Sequence, residues 1–170
     1  MSGWRFCGRC FTMFWDRDAD KGRCAAGGGH NAQGFMFVLP SNRPETAVGQ
    51  TAWRYCRKCR GIYFNGFDRH GVCPGGGAHG RLRPHADGSR TDPNYLLNHD
   101  LPEGETATSQ RTWFFCRKCF GLFYGGFPSQ GVCAAGGGHD REGSFEFMLA
   151  HAPVASTGFG DDNVAIPVNE

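Results

Sequence analysis

Three groups of cysteine and histidine residues in this 170-residue chain have the same internal spacing. Each group follows the pattern C-x2-C-x13-C-x5-H, and its last seven positions, CAAGGGH or CPGGGAH, are rich in glycine. Thiolates and imidazoles bind transition metals, and glycine lets a loop fold back towards such a site without steric penalty. The groups are Cys7, Cys10, Cys24 and His30; Cys56, Cys59, Cys73 and His79; and Cys116, Cys119, Cys133 and His139.

The number of cysteines favours metal ligation over disulfide bonding. There are nine cysteines, three in each group, so equivalent groups cannot all be satisfied by pairing. Three thiolates and one imidazole form a Cys3His set, a recurrent tetrahedral zinc site with no open position for water or substrate. We therefore predict three zinc ions with a structural role. The alternatives are disulfides, free thiols and an iron–sulfur cluster, which normally takes four cysteines.

Each C-x2-C pair is flanked by apolar and aromatic residues that predict a strand on either side. An aromatic segment enters the pair as WRFC (4–7), WRYC (53–56) and WFFC (113–116). In the strand that leaves, alternation of period two separates the side chains into two faces. One face carries Met13 and Trp15, Ile62 and Phe64, or Leu122 and Tyr124, and the other carries Phe14, Tyr63 or Phe123. One face must form the core of the repeat, and the other packs on a neighbouring repeat or contacts a ligand.

The composition predicts an all-β fold. The chain contains 27 glycines, which oppose long helices, and 15 phenylalanines, which favour half-buried strands. We expect three zinc-stapled β repeats packed in a pseudo-threefold, β-trefoil-like arrangement, because isolated repeats would leave much aromatic surface exposed to aggregation. Tandem zinc-ribbon beads are the alternative.

The cysteine groups and the polar segments between them predict the domain organisation. An insertion in the polar stretch RLRPHADGSRTDPN (81–94) lengthens the second repeat and is predicted to be a surface loop. The predicted units are zinc repeat 1 (1–40), a linker (41–52), zinc repeat 2 (53–99) with an inserted loop (80–93), a linker (100–112), zinc repeat 3 (113–151) and a C-terminal tail (152–170). The four histidines outside the groups do not recur in the alignment of the repeats and are interpreted as surface or loop residues: His70, His85, His99 and His151.

The repeat is similar to one found in other proteins. The pattern W-R-aromatic-C-x-K-C, an aliphatic-aromatic-aromatic run and G-V-C-x-x-G-G-G-H resembles a tandem cysteine-rich repeat of bacterial proteins, and its local geometry resembles that of zinc ribbons. The resemblance covers nearly the whole chain, and the first repeat departs from it at Gly8, where the others have arginine. It implies an accessory role beside secreted or surface-acting proteins, without assigning an activity to particular residues.

The formal net charge of the chain argues against nucleic acid as its partner. Eight basic residues near the metal turns make nucleic acid the alternative partner: Arg5, Arg9, Arg54, Arg57, Lys58, Arg60, Arg117 and Lys118. Each zinc with three thiolates carries about −1, so three ions shift the formal charge of +2 to about −1, unlike a typical phosphate binder. The basic residues then neutralise the zinc–thiolate centres.

The predicted function is non-catalytic binding. No nucleophile–base pair recurs, and the alternating Asp16, Asp18 and Asp20 lack the distal glutamate of a calcium loop and are interpreted as solvated turn residues. Three related units favour multivalent recognition of a glycan or cell-surface receptor, including toxin-like activity. The candidate ligand-binding residues are Trp15, Tyr63, Tyr124, Phe67 and Phe127. The N-terminal MSGWRFCGRC does not resemble a signal peptide, and no apolar run reaches the roughly 20 residues of a membrane span.

Overall fold

The structure, a computed structural model, describes residues 1–83 and 91–153 and contains only β-strands, turns and irregular segments within these ranges. The strands are β1 (Ser2–Cys7), β2 (Met13–Trp15), β3 (Ala32–Val38), β4 (Gly49–Tyr55), β5 (Ile62–Phe64), β6 (Tyr95–Asn98), β7 (Ser109–Phe115), β8 (Leu122–Tyr124) and β9 (Glu146–Ala150). The prediction of an all-β fold is confirmed. His85, half of the inserted loop and most of the C-terminal tail lie outside the described residues. The described chain offers no helical segment with the length and hydrophobicity of a membrane span.

Each repeat is one antiparallel sheet of three strands. The strand orders are β2-β1-β3, β5-β4-β6 and β8-β7-β9, so the strand that enters the C-x2-C turn is always central. Its tryptophan has equivalent cross-strand partners in all three sheets. The partners are Trp15 and Phe37 for Trp4, Phe64 and Tyr95 for Trp53, and Tyr124 and Phe147 for Trp113.

The short strands β2, β5 and β8 join the three sheets in a ring. Each is hydrogen-bonded to the neighbouring repeat in one direction, from repeat 1 to 2, from 2 to 3 and from 3 back to 1. The backbone N–H groups of Trp15, Phe64 and Tyr124 donate to the carbonyls of Arg60, Phe120 and Phe11 at 2.9, 3.0 and 3.0 Å. This cyclic order defines a pseudo-threefold axis.

A second ring of backbone hydrogen bonds joins the three repeats near the ends of β3, β6 and β9. The donors are the N–H groups of Leu96, Asp100 and Ala152, which bond to the carbonyls of Pro40, Glu146 and Met36 at 2.9, 2.9 and 2.8 Å. Two closed rings bind each repeat to both of its neighbours. The repeats therefore pack together about the axis, as the pseudo-threefold prediction requires, and are not separate beads.

The three repeats share one hydrophobic core. Trp4, Trp53 and Trp113 are fully buried, as are Met13 and Leu122. T-shaped aromatic pairs cross between repeats with ring centroids 5.2 to 5.3 Å apart, and they join Trp4 to Tyr95, Trp53 to Phe147 and Trp113 to Phe37. Such a pair contributes about 0.5–1.5 kcal/mol beyond the burial of its area. One face of β2, β5 and β8 thus serves the common core.

Candidate metal centres

A tight turn places the first two cysteines of each set side by side. In the first repeat the N–H of Phe11 donates to the Cys7 carbonyl at 2.9 Å, and the N–H of Cys7 donates to the Thr12 carbonyl at 2.9 Å. The residue after the second cysteine adopts a left-handed conformation in every repeat, with φ values of 72°, 67° and 69° at Phe11, Arg60 and Phe120. Such a φ is uncommon for residues with a side chain, so the turn itself demands it.

The structure brings each predicted set of four ligands together. Within a set, the three Sγ atoms and one imidazole nitrogen all lie within 4.8 Å of one another, and all four residues are buried. The Sγ atoms of the first and third cysteines are 3.8, 3.8 and 3.9 Å apart in the three sets. The Sγ of the second cysteine lies 3.5 Å from the histidine Nδ1 in each set.

These separations agree with a tetrahedral metal site. Zn–S bonds of about 2.3 Å and a Zn–N bond of about 2.05 Å at tetrahedral angles require S···S of about 3.8 Å and S···N of about 3.6 Å. A disulfide would instead need S–S near 2.05 Å, and all nine cysteines are free thiols in the structure. Each set could therefore hold one metal ion through four protein ligands.

Each histidine ligand is oriented by the next repeat. The Nε2–H of His30 donates to the carbonyl of Cys59 at 2.9 Å, His79 donates to Cys119 at 2.9 Å, and His139 donates to Cys10 at 2.9 Å. This hydrogen bond fixes the tautomer and leaves the Nδ1 lone pair for the ion. All four ligands come from one repeat, but the geometry of the site depends on two.

Aromatic rings support the histidine ligands from the opposite face of the leaving strands. The imidazoles stack on Phe14, Tyr63 and Phe123 with centroid separations of 4.6, 4.8 and 4.7 Å. These three aromatic side chains are fully buried. The second face of each leaving strand, for which the sequence allowed a neighbouring repeat or a ligand, therefore lies against the metal centre of its own repeat.

The glycine two residues before the third cysteine has a steric role at the same contact. Gly22, Gly71 and Gly131 adopt φ values of 73°, 72° and 73°. A Cβ atom at any of them would overlap the carbonyl oxygen of the second cysteine in the next repeat. That carbonyl is the acceptor of the histidine hydrogen bond, so a side chain there would separate the two repeats at the metal centre.

The basic residue inside each C-x2-C turn holds the glycine-rich loop. The Arg9 guanidinium donates to the carbonyls of Ala26, Gly27 and Gly29. The equivalent Lys58 donates to the Gly76 carbonyl, and Lys118 donates to the Gly136 carbonyl at 2.6 Å. These contacts give the cations a local structural role in addition to the charge neutralisation inferred from the sequence.

The protein groups of each set stabilise positive charge at its centre. Burial lowers the pKa of His30, but hydrogen bonds with the Cys24 and Cys7 thiolates raise it more, to about 9. His79 and His139 show the same balance and the same pKa of about 9. Hydrogen bonds with Cys10 and Cys24 lower the pKa of the Cys7 thiol, whereas hydrogen bonds with Cys24 and Cys7 together with burial raise the pKa of the Cys10 thiol. A cation is thus the natural occupant of such a site.

A small cavity lies on the axis between the three metal centres. Its volume is about 20 Å³, close to the space that one water molecule needs. The walls are largely apolar and include Ile62, Val72, Pro74 and Val132. This cavity is too small for a substrate, but a separate open pocket of about 400 Å³ is lined by Cys24, Cys73 and Cys133 and by residues of the glycine-rich loops.

The candidate ligand-binding aromatics occupy different environments. Tyr124 is buried in the common core, and Tyr63 is fully buried beneath His79. Trp15 is half-buried, while Phe67 is 56 % exposed. Phe127 is half-buried and packs on the rings of Phe6, Phe11 and Tyr124. Trp15, Phe67 and Phe127 lie at three equivalent junctions between repeats, and Tyr63 and Tyr124 lie inside.

The interpretation of two histidines as surface or loop residues is wrong. His99 and His151 occupy equivalent positions, are buried, and stack on Phe145 and Phe35 at 3.8 Å between ring centroids. The sequence carried a signal for their recurrence, since YLLNH (95–99) and FMLAH (147–151) align, but the insertion in the second repeat moved the first of these segments away from the cysteines. Asp18 and Asp20 are exposed in and beside a bend, as the prediction of solvated turn residues has it, and their Oδ2 atoms also lie 2.6 and 3.2 Å from the Arg60 guanidinium of the next repeat.

Open grooves follow two of the junctions between repeats. The first groove, between repeats 1 and 2, has a volume of about 320 Å³ and is lined by Met1, Trp15, Asp18, Tyr55, Arg60 and Tyr95 together with Leu82, Thr91 and Pro93. The second groove, between repeats 2 and 3, has a volume of about 250 Å³ and is lined by Gln50, Phe64, Phe67, Phe115, Phe145 and Phe147 together with residues 142–144. Sequence reasoning had no signal for either groove, because each forms between distant segments.

Comparison of the chain with protein-family models, with curated proteins and with solved structures found no match. The metal centres and the grooves are therefore the features from which a function can be inferred.

Proposed function

We propose that the chain is a non-catalytic binding protein whose three Cys3His centres hold structural zinc ions. The observation that carries the metal role is the histidine hydrogen bond to the next repeat, found at 2.9 Å in all three centres. Through it, each ion orders its own loop and the junction with the neighbouring repeat. Four protein ligands leave no coordination position for substrate, which is typical of a structural site.

Zinc is the proposed ion because the ligand set and its geometry both favour it. Soft thiolates with one imidazole in a tetrahedral arrangement select zinc or an iron–sulfur cluster, and the cluster normally takes four cysteines. Elemental analysis of protein purified without added metal should find three zinc ions per chain. Another metal, or fewer than three ions in fully folded protein, would contradict this part of the proposal.

Carbohydrate is the proposed ligand class. Small-molecule sites combine an aromatic and apolar surface with a few hydrogen-bonding groups, and the first groove offers the half-buried Trp15 beside Asp18 and Arg60. The other candidate, nucleic acid, would need basic side chains free to contact phosphates. Several are instead engaged within the protein: Arg9 and Lys118 with glycine-loop carbonyls, and Arg117 with Asp140 at 2.6 Å.

One binding screen separates these ligand classes. Zinc-loaded protein is applied to an array of neutral and acidic glycans and, in parallel, to random-sequence DNA at several salt concentrations. We expect glycan binding that changes little with salt and is lost when a chelator removes the zinc. DNA binding that weakens steeply with salt, as counterion release requires, together with a blank glycan array, would favour the nucleic-acid alternative.

A further inference from the structure

The pseudo-threefold symmetry allows the junctions between repeats to be compared position by position. At each junction one residue of the preceding repeat faces two residues of the next. At two junctions all three positions are phenylalanine: Phe67 with Phe115 and Phe120, and Phe127 with Phe6 and Phe11. At the junction of repeats 1 and 2 the same positions hold Asp18, Tyr55 and Arg60.

The three polar residues form a connected network. The Arg60 guanidinium donates to Asp18 Oδ2 at 2.6 Å, to Asp20 Oδ2 at 3.2 Å and to the Tyr55 hydroxyl at 2.7 Å. The side chain of Asp18 is 49 % exposed and that of Arg60 is 22 % exposed. Ion pairs in such exposed positions contribute little to stability. Stability therefore does not explain why this junction departs from the aromatic pattern of the other two.

Further departures are concentrated at the same junction. Buried histidine–phenylalanine stacks join repeat 2 to 3 and repeat 3 to 1, whereas Ser41 and Pro93 stand at the equivalent positions between repeats 1 and 2. Gln50 and Gln110 each accept a hydrogen bond from a core tryptophan at 3.0 Å, and Met1 stands at the equivalent position beside the first groove. The insertion of the second repeat also borders this groove through Leu82 and Thr91.

The chemistry of the first groove matches a neutral polyhydroxylated ring. Its volume of about 320 Å³ is at the lower end of the roughly 300–1,000 Å³ of ligand pockets. Among its described lining residues the charged side chains are Asp18 and Arg60, which pair with each other and so favour no ionic ligand. A carboxylate accepts hydrogen bonds from sugar hydroxyls and a guanidinium donates to them, while Trp15 supplies an apolar surface for the ring.

We propose that the first groove is the carbohydrate site and binds one neutral sugar ring per chain. Trp15 packs against the ring, and Asp18 and Arg60 hydrogen-bond its hydroxyls. This inference rests on the proposed carbohydrate-binding function and deepens it. It replaces the three equivalent sites that the repeats suggest by a single site at the junction where the symmetry is broken.

The test replaces the polar network by the aromatic residues of the other junctions. The triple variant Asp18→Phe, Tyr55→Phe, Arg60→Phe is compatible with the backbone, because Phe11 and Phe120 already adopt at φ 72° and 69° the conformation that Arg60 has at 67°. Titration calorimetry and tryptophan fluorescence measure binding of glucose, galactose, mannose, N-acetylglucosamine and lactose to the full zinc-loaded chain. Zinc content and the thermal midpoint report whether the variant folds.

The wild-type chain should bind at least one of these sugars with a stoichiometry of one. The triple variant should keep three zinc ions and lose binding by on the order of 100-fold, and Trp15→Ala should lose on the order of tenfold. Phe145→Ala in the second groove serves as the control and should bind as the wild type does.

The possible failures are distinguishable. If the wild-type chain binds none of the sugars on the panel or on a glycan array, both the carbohydrate function and this site are overturned. If the sugar still binds to the folded triple variant, or binds with a stoichiometry of three, the function stands and the assignment to the first groove is wrong. If the triple variant does not fold, the test rests on Trp15→Ala, provided that this variant retains its zinc. An unchanged sugar affinity of Trp15→Ala contradicts the proposal.

Discussion

The three candidate metal centres share one ligand geometry, whereas the three junctions between repeats differ in chemistry. Ligand spacing and the histidine hydrogen bond of 2.9 Å recur in all three, and an aromatic ring stacks on each histidine at 4.6 to 4.8 Å. Two of the junctions hold clusters of three phenylalanines, and the third holds a network of Asp18, Tyr55 and Arg60.

The metal centre and the junction of a repeat are under different physical constraints. Coordination geometry tolerates little variation, because bond lengths and tetrahedral angles fix where each ligand atom must lie. A junction is constrained only by packing, which many combinations of side chains satisfy. A junction can therefore change to bind a ligand while the metal centres keep the fold intact. The perturbations below test whether the metal centres serve stability and the polar junction serves binding, in order of decreasing expected effect.

Removal of the metal should have the largest effect. Structural zinc contributes about 10–16 kcal/mol per site in small zinc domains, so a single site is comparable with the roughly 5–15 kcal/mol stability of a typical domain and three sites exceed it. Chelation should therefore abolish the near-ultraviolet circular dichroism of the buried tryptophans and the cooperative thermal transition, and added zinc should restore both. A metal-free chain that keeps its cooperative transition would contradict the structural role.

The equivalence of the three centres can be tested with matched variants. Cys24→Ser, Cys73→Ser and Cys133→Ser each change the third ligand of one set. Each should lower the zinc content by one ion and destabilise the fold to a similar extent. A strongly unequal series would show that the centres differ in role although their geometry is the same.

Substitution of the glycine at the repeat contact should have the next largest effect. Gly71→Ala adds a methyl group that overlaps the Cys119 carbonyl at a residue with φ of 72°. Strain and overlap together should reduce the free energy of unfolding by about 3 kcal/mol or more. Denaturant titration of the zinc-loaded protein measures the change.

Two further glycines separate strain from overlap. Gly76 has a φ of 101°, but a methyl group on it would meet no other atom within 4 Å, so Gly76→Ala should cost about 1 kcal/mol from strain alone. Gly104 has neither a left-handed φ nor a close neighbour, and Gly104→Ala should be nearly neutral. Equal effects at Gly71 and Gly76 would show that contact with the next repeat does not matter.

Replacing one junction side chain by alanine should destabilise an aromatic junction more than the polar junction. Phe127→Ala removes a half-buried ring that contacts Phe6, Phe11 and Tyr124 and should cost about 2 kcal/mol. The equivalent Asp18→Ala removes an exposed ion pair and should cost less than about 1 kcal/mol. Thermal unfolding of both variants measures the difference. A larger loss for Asp18→Ala would mean that the polar network serves stability after all.

The pH dependence of metal binding should be the most gradual effect. When one ion leaves while the other two hold the fold, the histidine of the emptied site has a pKa of about 9, raised from 6.5. Its protonated form stabilises the emptied site below pH 6.5, and this stabilisation is lost as the pH rises through 9. Zinc affinity should therefore increase up to about tenfold per pH unit between pH 7 and 9 for each proton displaced.

Competition with a chromophoric chelator at several pH values measures this slope for the first ion removed. The slope should decrease above pH 9, where the imidazole has already lost its proton. An affinity that does not change between pH 7 and 9 would show that no proton competes with the ion in the folded site.

Local spacing was sufficient to predict the metal centres, because all four ligands of a set lie within one segment of 24 residues, such as 7–30. It was also sufficient to predict strands on both sides of each C-x2-C turn, since alternation and aromatic content act over a few residues. The equivalence of His99 and His151 was missed although YLLNH (95–99) and FMLAH (147–151) share a leucine and a histidine at the same spacing, because the insertion in the second repeat changes the distance of this segment from the cysteines.

The amino-acid sequence by itself determined the repeat, the ligand sets and the all-β class. Only the tertiary structure decided that His30 reaches the Cys59 carbonyl, that Tyr63 lies beneath an imidazole, and that Asp18 meets Arg60 across a junction. The physical reason is that ligand spacing and strand periodicity are properties of neighbouring residues in the chain. Contacts between repeats arise only when three separate sheets close around one axis, and no local pattern specifies which residues then face each other.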